Sequence, residues 1–310
     1  MIDVSNLSKS FGNTKAIDGL SFQVQPGQIT GFLGPNGSGK STTMRIIMGL
    51  DWPDAGQALI NGRPFAKLTN PLYEVGALLD ARAFHGGRSA YNHLLYLAQS
   101  NHIPPKRVDE VLELVGLSSV ARKKAGTFSM GMGQRLGIAS ALLGDPGILL
   151  FDEPVNGLDP EGILWVRNFL KSLASQGRTV LVSSHLMSEM ALTADSVVVI
   201  GRGRLIDSAP IDQFIGRSTQ SFVIVKTPDS SSLQDILRQN GASVKARDDG
   251  SLEVTNMNCP QVGELAASNS LVLHELYLHE PSLESAYMEL TQEDVEFQSV
   301  ISTQAVHASN

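Results

Sequence analysis

The chain has few of the features that mark secreted, membrane-spanning or nucleic-acid-binding proteins. Cys259 is the only cysteine, which excludes an intrachain disulfide and favours a reducing compartment. No run approaches the ~20 apolar residues of a membrane helix, and no secretory signal follows Met1. The 31 acidic residues outnumber the 24 basic ones, so the net charge of −7 gives no sign of nucleic-acid binding. We therefore expect a cytosolic protein whose access to a membrane depends on a partner.

The strongest local signal is a glycine-rich loop that ends in lysine and serine. It fits the pattern G-x-x-x-x-G-K-[ST] and consists of Gly34, Pro35, Asn36, Gly37, Ser38, Gly39, Lys40 and Ser41. In such a loop backbone N–H groups face the β-phosphate, Lys40 reaches the β- and γ-phosphate oxygens, and the Ser41 hydroxyl binds Mg²⁺. Residues 29–33 predict a buried strand before the loop. Residues 42–48 predict a helix after it, whose N-terminus attracts phosphate. The loop predicts a site for a nucleoside triphosphate.

Residues 1–216 alternate short apolar stretches with helical periodicity. This pattern predicts an α/β fold with a largely parallel sheet covered by helices. Val4 lies on one expected strand, and the others are residues 21–24, 58–60, 148–151, 179–183 and 197–200. Residues 88–143 have helical periodicity, with helices expected at 92–98, 106–115 and 130–143. They predict a helical subdomain inside the α/β domain.

The remaining residues differ in character from the first part of the chain. Residues 217–291 predict a small α+β domain, with strands at 221–226, 251–254 and 271–278 and helices at 231–240, 260–268 and 281–290. Residues 292–310 are polar with little periodicity, so we expect them to be disordered.

A second motif is an apolar run that ends in two adjacent carboxylates, Asp152 and Glu153. An apolar run followed by acidic residues is by itself a common strand end. In a protein with a phosphate loop, however, such a strand brings Asp152 to the Mg²⁺ shell. Glu153 then lies beside the metal, where it can polarise the attacking water. The pair predicts hydrolysis of the bound nucleotide.

Six elements, which follow one another along the chain in the family's order, resemble the ATP-binding subunits of ABC transporters over about the first 215 residues. Residues 34–41 resemble the Walker A motif and residues 148–153 the Walker B motif with its glutamate. Residues 156–159 resemble the D-loop, residues 183–185 the switch histidine segment and residues 128–135 the signature segment, and Phe11 stands where the family has an adenine-stacking ring. The resemblance implies a phosphate-loop NTPase fold, ATP and Mg²⁺ as ligands, and catalytic roles for Lys40, Glu153 and His185.

The same resemblance implies a site shared between two subunits. Residues 34–41 and Thr42 would bind the phosphates of ATP, while Ser129 and Gly131 would complete the site of a homodimer partner that pairs head to tail. Asp159 of the D-loop segment is a further expected ATP-binding residue. Phe11 as a core residue and Ser129 as an ordinary helix cap are alternative interpretations. The capping role is compatible with phosphate binding, because a helix N-terminus attracts phosphate.

The sequence departs from the family pattern at two places. Met130 and Met132 replace a glycine and the glutamine of the usual Ser-Gly-Gly-Gln signature, as is frequent in drug- and peptide-exporter subunits. Asp80 stands where the family has the glutamine that links metal and permease, which makes it a third candidate metal ligand with Ser41 and Asp152. A carboxylate there attracts Mg²⁺ and repels the γ-phosphate, unlike an amide.

The resemblance predicts an ATPase subunit on the cytoplasmic side of the cell membrane. It would power a separate ABC-2-type permease, with drugs, antibiotics or lipid-like molecules as exported compounds. A soluble ABC ATPase of translation or DNA repair is the alternative, although such chains usually carry two ATPase domains, a long coiled coil or zinc-binding cysteines. A regulatory module that binds ATP without turnover is disfavoured by Glu153.

Overall fold

The computed structural model describes residues 1–217, 221–280 and 282–291. Two compact units, Met1–Ile211 and Asp212–Glu289, divide this part of the chain. The division follows Ile211, where the helix Ile211–Arg217 begins. The sequence predicts the boundary at 216–217, where the same helix ends. Residues 292–310, for which disorder is predicted, lie outside the described residues. None of the helices in the described ranges is both long and apolar enough to cross a membrane.

The first unit alternates strands and helices as the sequence predicts. Its strands are Ile2–Phe11 (β1), Thr14–Val24 (β2), Ile29–Leu33 (β3), Ala55–Ile60 (β4), Val75–Leu78 (β5), Ile148–Asp152 (β6), Thr179–Ser183 (β7), Ser196–Gly201 (β8) and Arg204–Pro210 (β9). Its helices are Lys40–Ile47 (α1), Pro71–Glu74 (α2), Ala90–Ser100 (α3), Lys106–Leu114 (α4), Met130–Ala141 (α5), Pro160–Ser175 (α6) and Met187–Thr193 (α7).

A six-stranded sheet in the order β5-β6-β7-β3-β8-β9 forms the centre of this unit. All neighbours pair in parallel except β8 and β9, which pair antiparallel. Every residue of β3 and β7 is buried, as expected for parallel strands covered on both faces. The fold is therefore the α/β phosphate-loop NTPase fold that the sequence predicts.

Three of the expected strands lie outside the largely parallel sheet that the sequence predicts. The residues at Val4, 21–24 and 58–60 lie in β1, β2 and β4, which form a separate antiparallel sheet in the order β2-β1-β4. A two-residue turn joins β1 to β2, and such a short connection permits only antiparallel pairing. The ring centroids of Phe22 in β2 and Phe32 in β3 lie 5.2 Å apart, so the two sheets share a core.

The helical segment between β5 and β6 contains α3, α4 and α5, which confirms the three helices predicted there. Side-chain oxygens cap two of them: Ser89 accepts from Asn92 N at the start of α3, and Ser129 accepts from Met132 N at the start of α5. Buried Leu94, Leu112 and Leu136 lie one on each of these helices. The segment thus forms a helical layer with its own apolar contacts.

The second unit is the small α+β domain that the sequence predicts. After Ile211–Arg217 (α8) it contains Phe222–Lys226 (β10), Ser230–Gln239 (α9), Ser243–Ala246 (β11), Leu252–Thr255 (β12), Cys259–Ser268 (α10), Glu275–His279 (β13) and Leu283–Thr291 (α11). The antiparallel order β11-β12-β10-β13 gives a split β-α-β arrangement. The strand predicted from residue 271 begins only at Glu275, and β11 was not predicted.

Candidate functional site

Three neighbouring parallel strands, β6, β7 and β3, end at the same edge of the sheet. The glycine-rich loop follows β3, Asp152 ends β6 and Ser183 ends β7. In the sheet register Ser183 pairs with Asp152 on one side and with Phe32 on the other. Ligands of α/β proteins bind at the carboxyl ends of such strands. The sheet therefore brings two motifs more than 100 residues apart to one place.

The glycine-rich loop encloses a cavity of about 400 Å³. Its lining includes most of the predicted phosphate-binding residues and both carboxylates: Asn36, Gly37, Ser38, Gly39, Lys40, Ser41, Thr42, Asp152 and Glu153. Gly39 precedes α1 with φ +101°, and a Cβ there would lie 2.6 Å from the carbonyl oxygen of Ala16. Glycine is required at this position, because a side chain would be strained and would overlap the neighbouring backbone.

Lys40 is buried at the start of α1, with its ammonium group turned back onto the loop. Its Nζ donates to the carbonyl oxygen of Gly34 at 2.6 Å and to that of Pro35 at 3.1 Å. Burial lowers the pKa of Lys40, and the nearby charges of Glu153 and Asp152 oppose that shift. The amine thus lies in the same cavity as the two carboxylates and near the backbone that would face phosphate.

Ser41 and Asp152 form a pair of adjacent oxygen donors. The Ser41 hydroxyl donates to Asp152 Oδ2 at 2.7 Å, and the Ser183 hydroxyl donates to Oδ1 of the same carboxylate at 2.5 Å. Within the described residues, no group of three or more His, Cys, Asp and Glu side chains could hold a metal by itself. One hydroxyl and one carboxylate suit Mg²⁺, which usually takes few protein ligands and completes its shell with phosphate oxygens and water.

Glu153 has a left-handed backbone conformation, with φ +51°. For a residue with a Cβ this costs about 1–2 kcal/mol, so surrounding contacts must hold it. Its N–H donates to the Ser183 hydroxyl at 3.0 Å, and its carbonyl oxygen accepts from Gln134 Nε2 at 2.9 Å. The carboxylate Oε2 lies 2.7 Å from His185 Nδ1. The contacts fix a carboxylate beside Asp152 with a histidine as its partner.

The two signature residues lie at the start of α5 and not in the loop cavity. Ser129 accepts from Met132 N at 3.3 Å and therefore is the helix cap that the sequence allowed. It lines a second cavity of about 710 Å³, which also includes Asp80, Asp152 and Glu153. Gly131 follows one residue into the helix. These residues are thus separated from Lys40 within one chain.

Three further predicted residues lie outside the loop cavity. Phe11 is 52% exposed, so its interpretation as a core residue is wrong; the Lys9 ammonium lies 5.5 Å from its ring centroid. Asp159 caps α6 by accepting from Gly162 N at 3.0 Å. Asp80 accepts from Arg82 N at 2.8 Å and faces both the 710 Å³ cavity and a groove of about 550 Å³.

Two residues at this site were not assigned roles from the sequence. Ser183 holds both Asp152 and Glu153 by hydrogen bonds, and Gln134 holds the Glu153 carbonyl. Ser183 had a signal, because it ends an apolar strand. Gln134 had a weaker one: it is a polar residue on the face of α5 that also carries the buried Ile138 and Ala141. Spacing of four and three residues places them on one helix face.

The chain is similar over most of its length to known ATP-binding proteins. The family described as ABC transporter matches residues 17–156, and a domain of unknown function matches residues 221–284. The uncharacterized ABC transporter ATP-binding protein YhcH of Bacillus subtilis is 35% identical, over 96% of this chain and 97% of that protein. The bacitracin transport ATP-binding protein BcrA of Bacillus licheniformis is also 35% identical, over 94% and 97%.

Solved structures of ATP-binding cassettes are similar to about two thirds of this chain. One is a dimeric cassette in a post-hydrolysis state bound to ADP and Pi, with a TM-score of 0.62 and 25% identity. The similarity covers 68% of this chain and 99% of that one.

Proposed function

The chain belongs to the ATP-binding ATPase subunits of ABC transporters, and on that premise we propose that it powers a separate membrane permease that exports drug-, antibiotic- or lipid-like compounds. Two copies would close head to tail around two ATP molecules at the cytoplasmic face of the membrane. The observation that carries the proposal is the Ser41–Asp152 pair beside Glu153 in the loop cavity. The cavity would thus combine a phosphate site, a metal site and a base.

We assign the steps of hydrolysis to side chains of this cavity. The loop N–H groups and Lys40 would bind the phosphates, and Ser41 and Asp152 would hold Mg²⁺. When bound, Mg²⁺ neutralises charge on the β- and γ-phosphate oxygens. Glu153 would accept the proton of the attacking water, because its carboxylate lies beside the metal ligands and its backbone is fixed by Ser183. His185 orients that carboxylate through its Nδ1.

The head-to-tail dimer is proposed from the position of Ser129 and Gly131. Both lie at the N-terminus of the 12-residue helix α5, where backbone N–H groups and the helix dipole favour phosphate. Neither lines the loop cavity of its own chain. We infer that they contact the γ-phosphate bound by a second subunit, with Asp159 nearby. A dimeric relative of the same fold is consistent with this arrangement.

The permease contact is proposed for the groove beside Asp80. This groove of about 550 Å³ is lined by Phe65, Leu72 and Phe84 and by Asp80 itself. Asp80 also lines the cavity of about 710 Å³, together with Asp152. Leu50 lines it too and is 57% exposed, and Trp52 two residues later is 75% exposed. Exposed apolar side chains that form one contiguous patch mark interaction surfaces. Asp80 would then connect a permease segment with the metal site.

The transported compound is proposed by class only. One similar protein is a bacitracin transport ATP-binding protein, which supports peptide antibiotics among the candidate compounds. The Met130 and Met132 signature agrees with an exporter subunit.

The catalytic proposal is tested with the purified chain and Glu153→Gln. The variant keeps the shape of the side chain but removes the base, so turnover should fall by ~10²-fold or more while ATP still binds. Glu113→Gln, on the exposed face of α4, is the matched control and should hydrolyse ATP normally. ATP hydrolysis by Glu153→Gln at the rate of the control would refute the assignment of Glu153.

The transport proposal is tested in cells that carry the chain together with a candidate ABC-2-type permease. Resistance to peptide antibiotics should rise with the wild-type chain and not with Glu153→Gln, and the chain should be recovered with the membrane fraction only when the permease is present. Recovery in the soluble fraction in both cases, with no change in resistance, would favour a soluble ABC ATPase.

A further inference from the structure

A buried glutamine connects the signature helix to the candidate base of the same chain. Gln134 lies on the second turn of α5, and its side chain is only 2% exposed. Its Nε2 donates to the carbonyl oxygen of Glu153 at 2.9 Å, and its Oε1 has no hydrogen-bond partner among the residues that the structure describes. Leaving a buried amide oxygen unpaired is unfavourable. The amide therefore occupies this position at a cost in stability, which suggests a role beyond packing.

The carbonyl that Gln134 holds belongs to the residue with the unusual backbone. Glu153 is in the left-handed region, and its carbonyl oxygen accepts from Gln134 and from Asn156 N at 3.1 Å. Its N–H is held separately by Ser183. The N–H contact restrains one side of the Cα atom and the carbonyl contacts restrain the other. Together they set the direction in which the Glu153 side chain leaves the backbone.

We propose that Gln134 is a positioning residue for ATP hydrolysis, which orients the Glu153 carboxylate by holding the Glu153 carbonyl oxygen. This inference rests on the proposed role of Glu153 as the base. Because Gln134 is five residues after Ser129 on the same helix, it also ties the carboxylate to the segment proposed to meet the partner's nucleotide. A displacement of α5 would reach Glu153 through this hydrogen bond.

The first test replaces the amide without changing its size. Gln134→Met cannot donate a hydrogen bond but has a similar length and volume. We expect kcat for ATP to fall by about 10-fold, as expected for a small displacement of a catalytic group. The ATP dissociation constant should not change, because the phosphate-binding residues Lys40 and Ser41 are untouched. Gln176→Met, at an exposed glutamine after α6, is the matched control and should leave kcat unchanged.

The second test introduces a side chain that can donate the hydrogen bond to the Glu153 carbonyl oxygen only when it is protonated. In Gln134→Glu the introduced carboxyl group can donate to the Glu153 carbonyl when protonated and not when ionised. Its pKa should be raised by burial and by the carboxylates of Asp80, Asp152 and Glu153 in the same cavity, with Arg82 opposing. The ratio of kcat for Gln134→Glu to that of wild type should therefore rise as the pH falls, and at pH 6 should exceed the ratio for Gln134→Met.

The outcomes separate this inference from the proposed function. A loss of turnover in Glu153→Gln, together with wild-type kcat in Gln134→Met, would overturn the positioning role and leave the role of Glu153 intact. Normal turnover in Glu153→Gln would overturn the base itself. If Gln134→Met proves unstable in thermal unfolding, Gln134→Glu provides the test. A ratio of its kcat to that of wild type that is equally low at pH 6 and at pH 8.5 would refute the inference.

Discussion

Ser129→Asp tests whether the N-terminus of α5 meets a phosphate held by a second subunit. Ser129 caps α5 through its hydroxyl, and aspartate is as good a helix cap as serine. The substitution therefore preserves the helix start and adds one negative charge at the proposed phosphate contact. Ser129→Asn is the matched control, because asparagine also caps helices and carries no charge.

The expected size of the effect follows from the charges. If the residue at position 129 contacts the γ-phosphate, its carboxylate stands about 4 Å from a like charge, which at an effective dielectric constant of about 20 costs about 4 kcal/mol. That free energy corresponds to about a 10³-fold weaker pairing for each site. Binding of ATP to a single chain should be unaffected, because Lys40 and Ser41 line the loop cavity and Ser129 does not.

The assay measures ATP-dependent dimerisation by light scattering in the Glu153→Gln background, where hydrolysis should not separate the pair. Glu153→Gln alone and Glu153→Gln/Ser129→Asn should dimerise when ATP and Mg²⁺ are added. Glu153→Gln/Ser129→Asp should remain monomeric while its ATP dissociation constant, measured by calorimetry, is unchanged. Dimerisation of the aspartate variant at the same protein concentration as the asparagine variant would refute the shared site.

Two further substitutions probe the supports of the site. Ser183→Ala removes the hydrogen bonds to Asp152 and to the Glu153 N–H. This loss should lower the free energy of unfolding by about 1–3 kcal/mol and should reduce kcat more than ATP affinity. An unchanged kcat together with an unchanged melting temperature would contradict this expectation. Gly157→Ala should cost about 2–3 kcal/mol, because φ is +70° and a Cβ would overlap Met130 Sδ. Adding Met130→Ala should recover only the part due to the overlap, and no recovery in thermal unfolding would disprove that contact.

Residues that act as a contiguous segment were predictable from the sequence. The glycine-rich loop is one example: its glycines, Lys40 and Ser41 are adjacent in the chain, and the strand and helix on either side have distinct periodicities. The adjacent Asp152 and Glu153 at the end of an apolar strand are another. In both cases the chemistry depends on local spacing, so the prediction needed no knowledge of distant contacts.

The division into sheets was only partly predictable. The strand at Val4 and its neighbours were correctly identified as strands, but were assigned to the parallel sheet. Apolar patterning shows which residues are buried and does not show which strand pairs with which. The antiparallel sheet of β1, β2 and β4 depends on pairing between residues as far apart as Ile2 and Ile60.

The sequence by itself indicated the nucleotide chemistry, because the phosphate loop is a specific local pattern and gives the strand-end carboxylate pair a meaning that the pair lacks alone. Only the tertiary structure decided how the candidate base is held. Gln134 and Ser183 reach Glu153 from 19 and 30 residues away in the chain, on a helix and on a neighbouring strand. Hydrogen bonds of this kind leave no periodic signal in the sequence, because they depend on the meeting of two elements whose relative position is set by the packing of the whole unit.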